Sequence, residues 1–155
     1  MIRSEIIGID EVIHDLEGLS KEVQSKAIAE MKASAMRVKS DAQRTLKKNG
    51  KYVYGKLHNS GNVRTGDKEA VVEFNSSYAG NVEFGQRIGT VVSYAHLKDW
   101  VKKKGLASKK NDIGRIAYFV KKKIKASGVK KSPFLRPAFE RERIKFKNNL
   151  KNLIK

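Results

Sequence analysis

The chain has 155 residues, of which 39% are hydrophobic and 32% are charged, and it contains no cysteine. This length and apolar content suit one folded domain over residues 1–155 and exclude wholesale disorder. Without cysteine there can be no disulfides, thiolate metal sites or cysteine nucleophiles.

The formal net charge of +18 is unevenly distributed along the chain. Residues 1–95 hold 14 Lys+Arg and 12 Asp+Glu, whereas residues 96–155 hold 20 and 4, a net charge of +16. Such a basic segment should attract an acidic partner. The alternative is a lysine-rich surface that simply faces solvent.

The chain shows no sequence feature of membrane insertion or export. Residues 1–15 have neither a basic leader nor a continuous apolar stretch. No window approaches the roughly 18 uninterrupted apolar residues that a membrane span needs. We therefore expect no signal peptide, no membrane partner and a protein that is made inside the cell.

Apolar residues at steps of three and four predict a helical region over residues 9–47. Gly18 and Ser20, with Glu22 behind them, indicate that a short helix ends there and a long one begins. Alanines on the apolar face permit close packing. The stripe consists of Ile9, Val12, Leu16, Leu19, Val23, Ala27, Met31, Ala35, Val38, Ala42 and Leu46.

In the middle of the chain, glycines and β-branched residues are the features from which structure can be predicted. Residues 49–69 contain four glycines among polar residues and predict a loop or hairpin. They lack the pattern of a phosphate-binding loop. Residues 70–93 are predicted to form strands, at 71–74, 78–84 and 90–93.

Residues 94–155 are predicted to be a basic helical region. One helix should end at Gly105, and a second should begin at Asp112 and end at Gly128. Pro137 can begin a final helix, which we expect to stay exposed until a partner covers it. The predicted fold class is α+β: a long N-terminal helix packed on a small, mostly antiparallel sheet, with further helices in the C-terminal third.

No residue pattern typical of catalysis or metal binding is present. His14, His58 and His96 are isolated from one another, and the carboxylates do not converge on a metal-ligand spacing. No serine has the sequence context of a nucleophile. We therefore predict no catalytic residue, no metal site and no cofactor.

Glu83 is the one carboxylate whose context suggests a specific role. It alternates with Val82 and Phe84 on a predicted strand and precedes Gly85. It could form an ion pair across a subunit boundary, or it could face solvent.

Two short motifs resemble a known family. Residues 78–85 read Tyr-Ala-Gly-Asn-Val-Glu-Phe-Gly, and residues 131–138 read Lys-Ser-Pro-Phe-Leu-Arg-Pro-Ala. In this order, after an amphipathic N-terminal region and the Arg-Thr-Gly of residues 64–66, they resemble the siphophage tail-component family. Its members are also called head–tail joining or tail-completion proteins.

The resemblance implies a non-enzymatic structural protein of the phage virion. It implies a ring of identical subunits in the neck, with a hexamer favoured over other copy numbers, that contacts the neighbouring head-connector and tail proteins. The predicted interface residues are Tyr78, Glu83, Phe84, Gly85, Phe134 and Leu135. For Phe84, Phe134 and Leu135 the alternative is that they fill the subunit's own core.

The basic third supports an alternative function, non-specific nucleic-acid binding, and a transient contact of a neck protein with genomic DNA. An acidic protein surface would suit the same charges. Tyr118 and Phe119 are the only candidates for base stacking. The predicted basic face consists of Lys102, Lys103, Lys104, Lys109, Lys110, Lys121, Lys122, Lys123 and Lys125.

Overall fold

The computed structural model describes residues 2–5, as backbone only, and residues 20–50, 55–66 and 69–153. The short helix predicted before Gly18, together with His14, lies outside these residues. The described elements are β1 (Ile2–Glu5), α1 (Lys21–Lys48), α2 (Lys56–Asn59), β2 (Gly61–Thr65), β3 (Ala70–Phe74), α3 (Ala79–Phe84), α4 (Tyr94–Lys103), α5 (Asp112–Ser127) and α6 (Leu135–Leu153).

The three described strands form an antiparallel sheet in the order β1-β3-β2. The central strand β3 is buried along its whole length. Gly61 lies opposite Phe74, and a Cβ at Gly61 would come within 2.8 Å of the Phe74 ring. The glycine therefore makes room for the largest side chain of the central strand.

The long helix α1 begins where the sequence predicts. The Ser20 hydroxyl accepts a hydrogen bond from the Val23 amide at 3.4 Å, which caps the helix. One face of α1 is buried against α6 and against strands β2 and β3. Small side chains allow this close approach. The buried residues are Ala27, Met31, Ser34, Ala35, Val38, Ala42 and Leu46.

Helix α6 packs along α1 and completes the main core, the cluster of buried apolar residues contributed by α1, α2, β3, α3 and the start of α6. The rings of Phe74 and Phe134 meet edge to face with centroids 5.0 Å apart. Between the helices, the buried Glu142 carboxylate accepts hydrogen bonds from Ser34 Oγ at 3.2 Å and Arg37 Nε at 2.6 Å. The hydrogen bond to Glu142 raises the pKa of the Arg37 guanidinium above its ordinary value. The α1–α6 contact therefore combines apolar packing with an ion pair between the buried Glu142 and the partly exposed Arg37.

Residues 86–129, called here the helical hairpin, contain α4 and α5 and have an apolar cluster of their own. Leu97, Val101 and Ala117 form its buried centre. At its base, Gln86 and Val129 exchange two backbone hydrogen bonds of 2.9 Å. The helical hairpin thus extends away from the rest of the chain, and its first and last residues pair with each other between α3 and α6.

The α+β fold class, with its long helix, antiparallel sheet and C-terminal helices, is confirmed. The strand predicted at 78–84 is wrong, because these residues form α3, in which Ala79 and Glu83 bury one helical face. The strand predicted at 90–93 is also wrong, since that segment has no regular structure. Of the two alternatives for 49–69, the hairpin is correct for β2, which pairs with β3.

Two further differences concern the ends of the chain. Strand β1 was not predicted, because four residues carry too short a pattern. The final helix begins at Leu135, and its expected exposure is wrong. It buries Leu135, Ala138, Glu142 and Leu150 against the rest of the chain.

Replacing residues 87–128 by Asn-Gly should leave the remaining protein folded. Gln86 and Val129 form the closely spaced hydrogen-bonded pair that a two-residue turn closes, and the main core contains no residue of the helical hairpin. We expect cooperative thermal unfolding with a midpoint within about 8 °C of the parent, measured by circular dichroism. Loss of the cooperative transition would show that the helical hairpin is needed to fold the main core.

Candidate subunit interface

The predicted interface residues lie where α3 meets the start of α6. Helix α3 follows β3 after a turn in which the Ala79 amide donates to the Ser76 carbonyl at 3.0 Å. The helix turns Ala79 and Glu83 inward and leaves Phe84 outward. The two sequence motifs are therefore neighbours in space.

The Glu83 carboxylate caps α6. Oε2 accepts hydrogen bonds from the amides of Phe134 at 2.8 Å and Leu135 at 3.0 Å, and Oε1 accepts one from Arg136 at 3.0 Å. The first four N–H groups of a helix have no partner within the helix. Three of them donate to Glu83, and Pro137, the fourth position, has no N–H. Every amide at this helix start is accounted for.

This arrangement explains how a carboxylate can be buried without a cation. The Glu83 side chain is 3% exposed. Its negative charge lies at the positive end of the α6 dipole and accepts three hydrogen bonds, which together offset desolvation. The solvent-facing alternative for Glu83 is therefore wrong, and the structure shows a use inside the chain that neither alternative described.

Gly85 permits the close approach of the two motifs. It has φ of +77°, and a Cβ there would lie 2.5 Å from the Val129 carbonyl oxygen. Next to it, the Ser132 amide donates to the Val82 carbonyl at 2.8 Å. A side chain at residue 85 would be strained and would also push residues 129–131 away from α3.

The aromatic and aliphatic members of the predicted interface divide into two groups. Phe134 and Leu135 are completely buried in the main core, and Tyr78 packs partly buried against it. Phe84 is 68% exposed. The core alternative thus describes Phe134 and Leu135, whereas Phe84 is available for contact with another molecule.

Two more exposed apolar side chains follow Phe84 in sequence. Ile88 is 73% exposed and Val91 is 76% exposed. Phe84, Ile88 and Val91, called here the apolar edge, flank the Gln86–Val129 pairing. Sequence reasoning missed both residues because Ile88 lies between two predicted strands and Val91 lies within the second of them. The sequence feature that could have indicated their exposure is their position on either side of Gly89.

All nine lysines of the predicted basic face lie on the helical hairpin. Eight are exposed and Lys121 is half-buried. Lys103 forms an ion pair with Asp99 at 3.1 Å. The basic face therefore lies on the helical hairpin and not on the α3–α6 junction.

Two kinds of feature are absent from the described part of the chain. No described helix is long and apolar enough to cross a membrane. Among the same residues, no group of three His, Asp or Glu side chains is arranged to hold a metal ion.

Replacing Glu83 with glutamine should destabilise the protein by about 2–3 kcal/mol, because the charge and at least one hydrogen bond to the α6 start are lost in a buried place. The measurement is urea unfolding followed by circular dichroism. Glu140→Gln, an exposed change on α6, should stay within about 0.5 kcal/mol of the parent. Equal effects of the two changes would contradict the capping role.

Comparison with known proteins supports the family resemblance. Residues 10–85 match a family model described as "Bacteriophage HK97-gp10, putative tail-component". The match ends at Gly85, directly before the helical hairpin, so the second motif at 131–138 lies beyond it. Neither a curated protein nor a solved structure matches the chain. Over residues 10–85, the chain is similar to the HK97-gp10-like family of phage tail components, and this similarity supports a structural protein of a phage.

Proposed function

We propose that this protein is a head–tail joining or tail-completion subunit that assembles into a ring in the phage neck and has no enzymatic activity. The observation that carries the proposal is the apolar edge on a chain similar to a tail-component family. The partners are further copies of the chain and the adjoining head-connector and tail proteins, in particles assembled in the host cytoplasm.

The apolar edge has the properties of a contact surface. Three large apolar side chains lie close together in sequence and are each more than two-thirds exposed, in a chain that is strongly charged. Neighbouring exposed apolar groups commonly mark protein interaction sites. A partner that covers them would gain the free energy of removing them from water.

The backbone at the start of the edge is held rigidly. Glu83 is tied to three amides of α6, and Gly85 packs against Val129. Phe84 lies between these two fixed residues. A preorganised aromatic anchor loses little conformational entropy on binding, which favours contact with a partner.

Identical subunits in head-to-tail contact form a closed ring when the rotation between them closes. The apolar edge would be one half of such a contact. The opposing surface would lie on the next subunit, and a hexamer is the favoured copy number.

Phe84→Ser should weaken self-association by roughly 10- to 100-fold, because burial of a phenylalanine contributes about 1.5–3 kcal/mol. The matched control is Ile144→Ser on α6, since Ile144 is 65% exposed and lies outside the apolar edge. It should change association less than about threefold. The measurement is sedimentation velocity over a concentration series, alone and with the neighbouring head and tail proteins.

Two results would overturn the proposal. One is an equal loss of association in the Phe84→Ser and Ile144→Ser variants. The other is a parent protein that stays monomeric at all concentrations and is also absent from particles formed with its neighbours.

A further inference from the structure

The helical hairpin carries much of the chain's excess positive charge. Residues 86–129 hold 12 Lys+Arg and 2 Asp+Glu, a net charge of +10. Both acidic residues are engaged locally, Asp99 with Lys103 at 3.1 Å and Asp112 with Arg115 at 3.7 Å. Most of the hairpin's cations therefore have no acidic residue of the hairpin left to pair with.

The packing of the helical hairpin turns these cations outward. The apolar faces of α4 and α5 are used against each other, with Val101 and Ala117 fully buried between them. The lysines occupy the remaining surface of both helices and of the loop that joins them. The two packed helices therefore present a broad, positively charged surface.

Two aromatic side chains lie within this surface. Tyr118 is 57% exposed and Phe119 is 60% exposed, with ring centroids 5.9 Å apart. Arg115 and Lys122 lie three to four residues away, on the same outer side of α5. Exposed rings next to cations are suited to stack on bases or sugars while the cations contact phosphates.

The kind of cation distinguishes between acidic partners. Ten of the hairpin's twelve cations are lysines. Lysine is depleted at protein–protein interfaces, but it is a common phosphate contact, and contacts to phosphate carry no base specificity. A membrane surface would need a free apolar helix face, and that of α5 is already buried against α4. Nucleic acid is therefore the partner that these features fit best.

We propose that the helical hairpin binds nucleic acid through its phosphate backbone, independently of base sequence, with Tyr118 and Phe119 adding stacking contacts to unpaired bases. This does not depend on ring formation, because the surface lies within one subunit. The inference and the proposed assembly can thus fail separately.

The test is fluorescence anisotropy of the full-length chain with a labelled duplex of about 20 base pairs, at about 50 and 200 mM salt. Affinity should fall steeply with salt, with a slope of about −0.9 per phosphate neutralised. The hairpin variant changes six exposed lysines to glutamine and should bind at least about tenfold more weakly, with a shallower slope. These are Lys102, Lys109, Lys110, Lys122, Lys123 and Lys125.

The matched control removes the same charge from α1 and α6. It should bind within about threefold of the parent, because distant exposed charges are screened. Circular dichroism checks that both variants are folded. The control lysines, all exposed and all changed to glutamine, are Lys21, Lys32, Lys48, Lys145, Lys147 and Lys151.

The double change Tyr118→Ser and Phe119→Ser should weaken binding of single-stranded DNA by about tenfold and affect the duplex less. Equal losses in the hairpin and control variants would overturn the location of the site. Binding of polyglutamate as tightly as DNA at equal charge would overturn the assignment to nucleic acid. No salt-dependent binding of the parent would overturn both.

Discussion

The fold of this chain depends on one buried carboxylate. Glu83 holds the first amides of α6, which fixes where that helix begins and places Phe134 against Phe74 in the core. Because Pro137 has no N–H, three hydrogen bonds satisfy the whole helix start. The same contact brings together the two ends of the 44-residue helical hairpin, residues 86–129. The hairpin can therefore project from the protein without interrupting the main core.

Buried acidic residues contribute to the basic character of the exterior, which arises mainly from the excess of Lys and Arg in the sequence. Glu73, Glu83 and Glu142 are each less than 7% exposed, and each has hydrogen-bond donors within the chain. Glu73 pairs with Arg64 and Glu142 with Arg37, whereas Glu83 takes only backbone amides. A chain that uses carboxylates to organise its interior leaves fewer of them to offset surface lysines. Part of its surface charge is a consequence of how it folds.

The sequence predicted the helices and strands whose apolar pattern is long or whose residues are typical of that secondary structure. Helix α1 was predicted from its apolar stripe and its cap at Ser20, and strand β3 from its β-branched residues. Helix α3 was missed because its valine and aromatic residues suggest a strand, and the feature that decides its structure is a contact with residues about fifty positions later. No local pattern contains that contact. The exposure of Phe84 and the burial of Phe134 likewise depend on tertiary packing.

The apolar edge and the basic hairpin share one base, which links the two proposed activities geometrically. Phe84 precedes the Gln86–Val129 pairing, and Ile88 and Val91 follow it as the chain enters the helical hairpin. A ring closed through the apolar edge would repeat one helical hairpin per subunit in the same orientation, since symmetry copies the whole subunit. Weak phosphate contacts from single hairpins would then act together, and their combined affinity would exceed that of any one of them without new contacts.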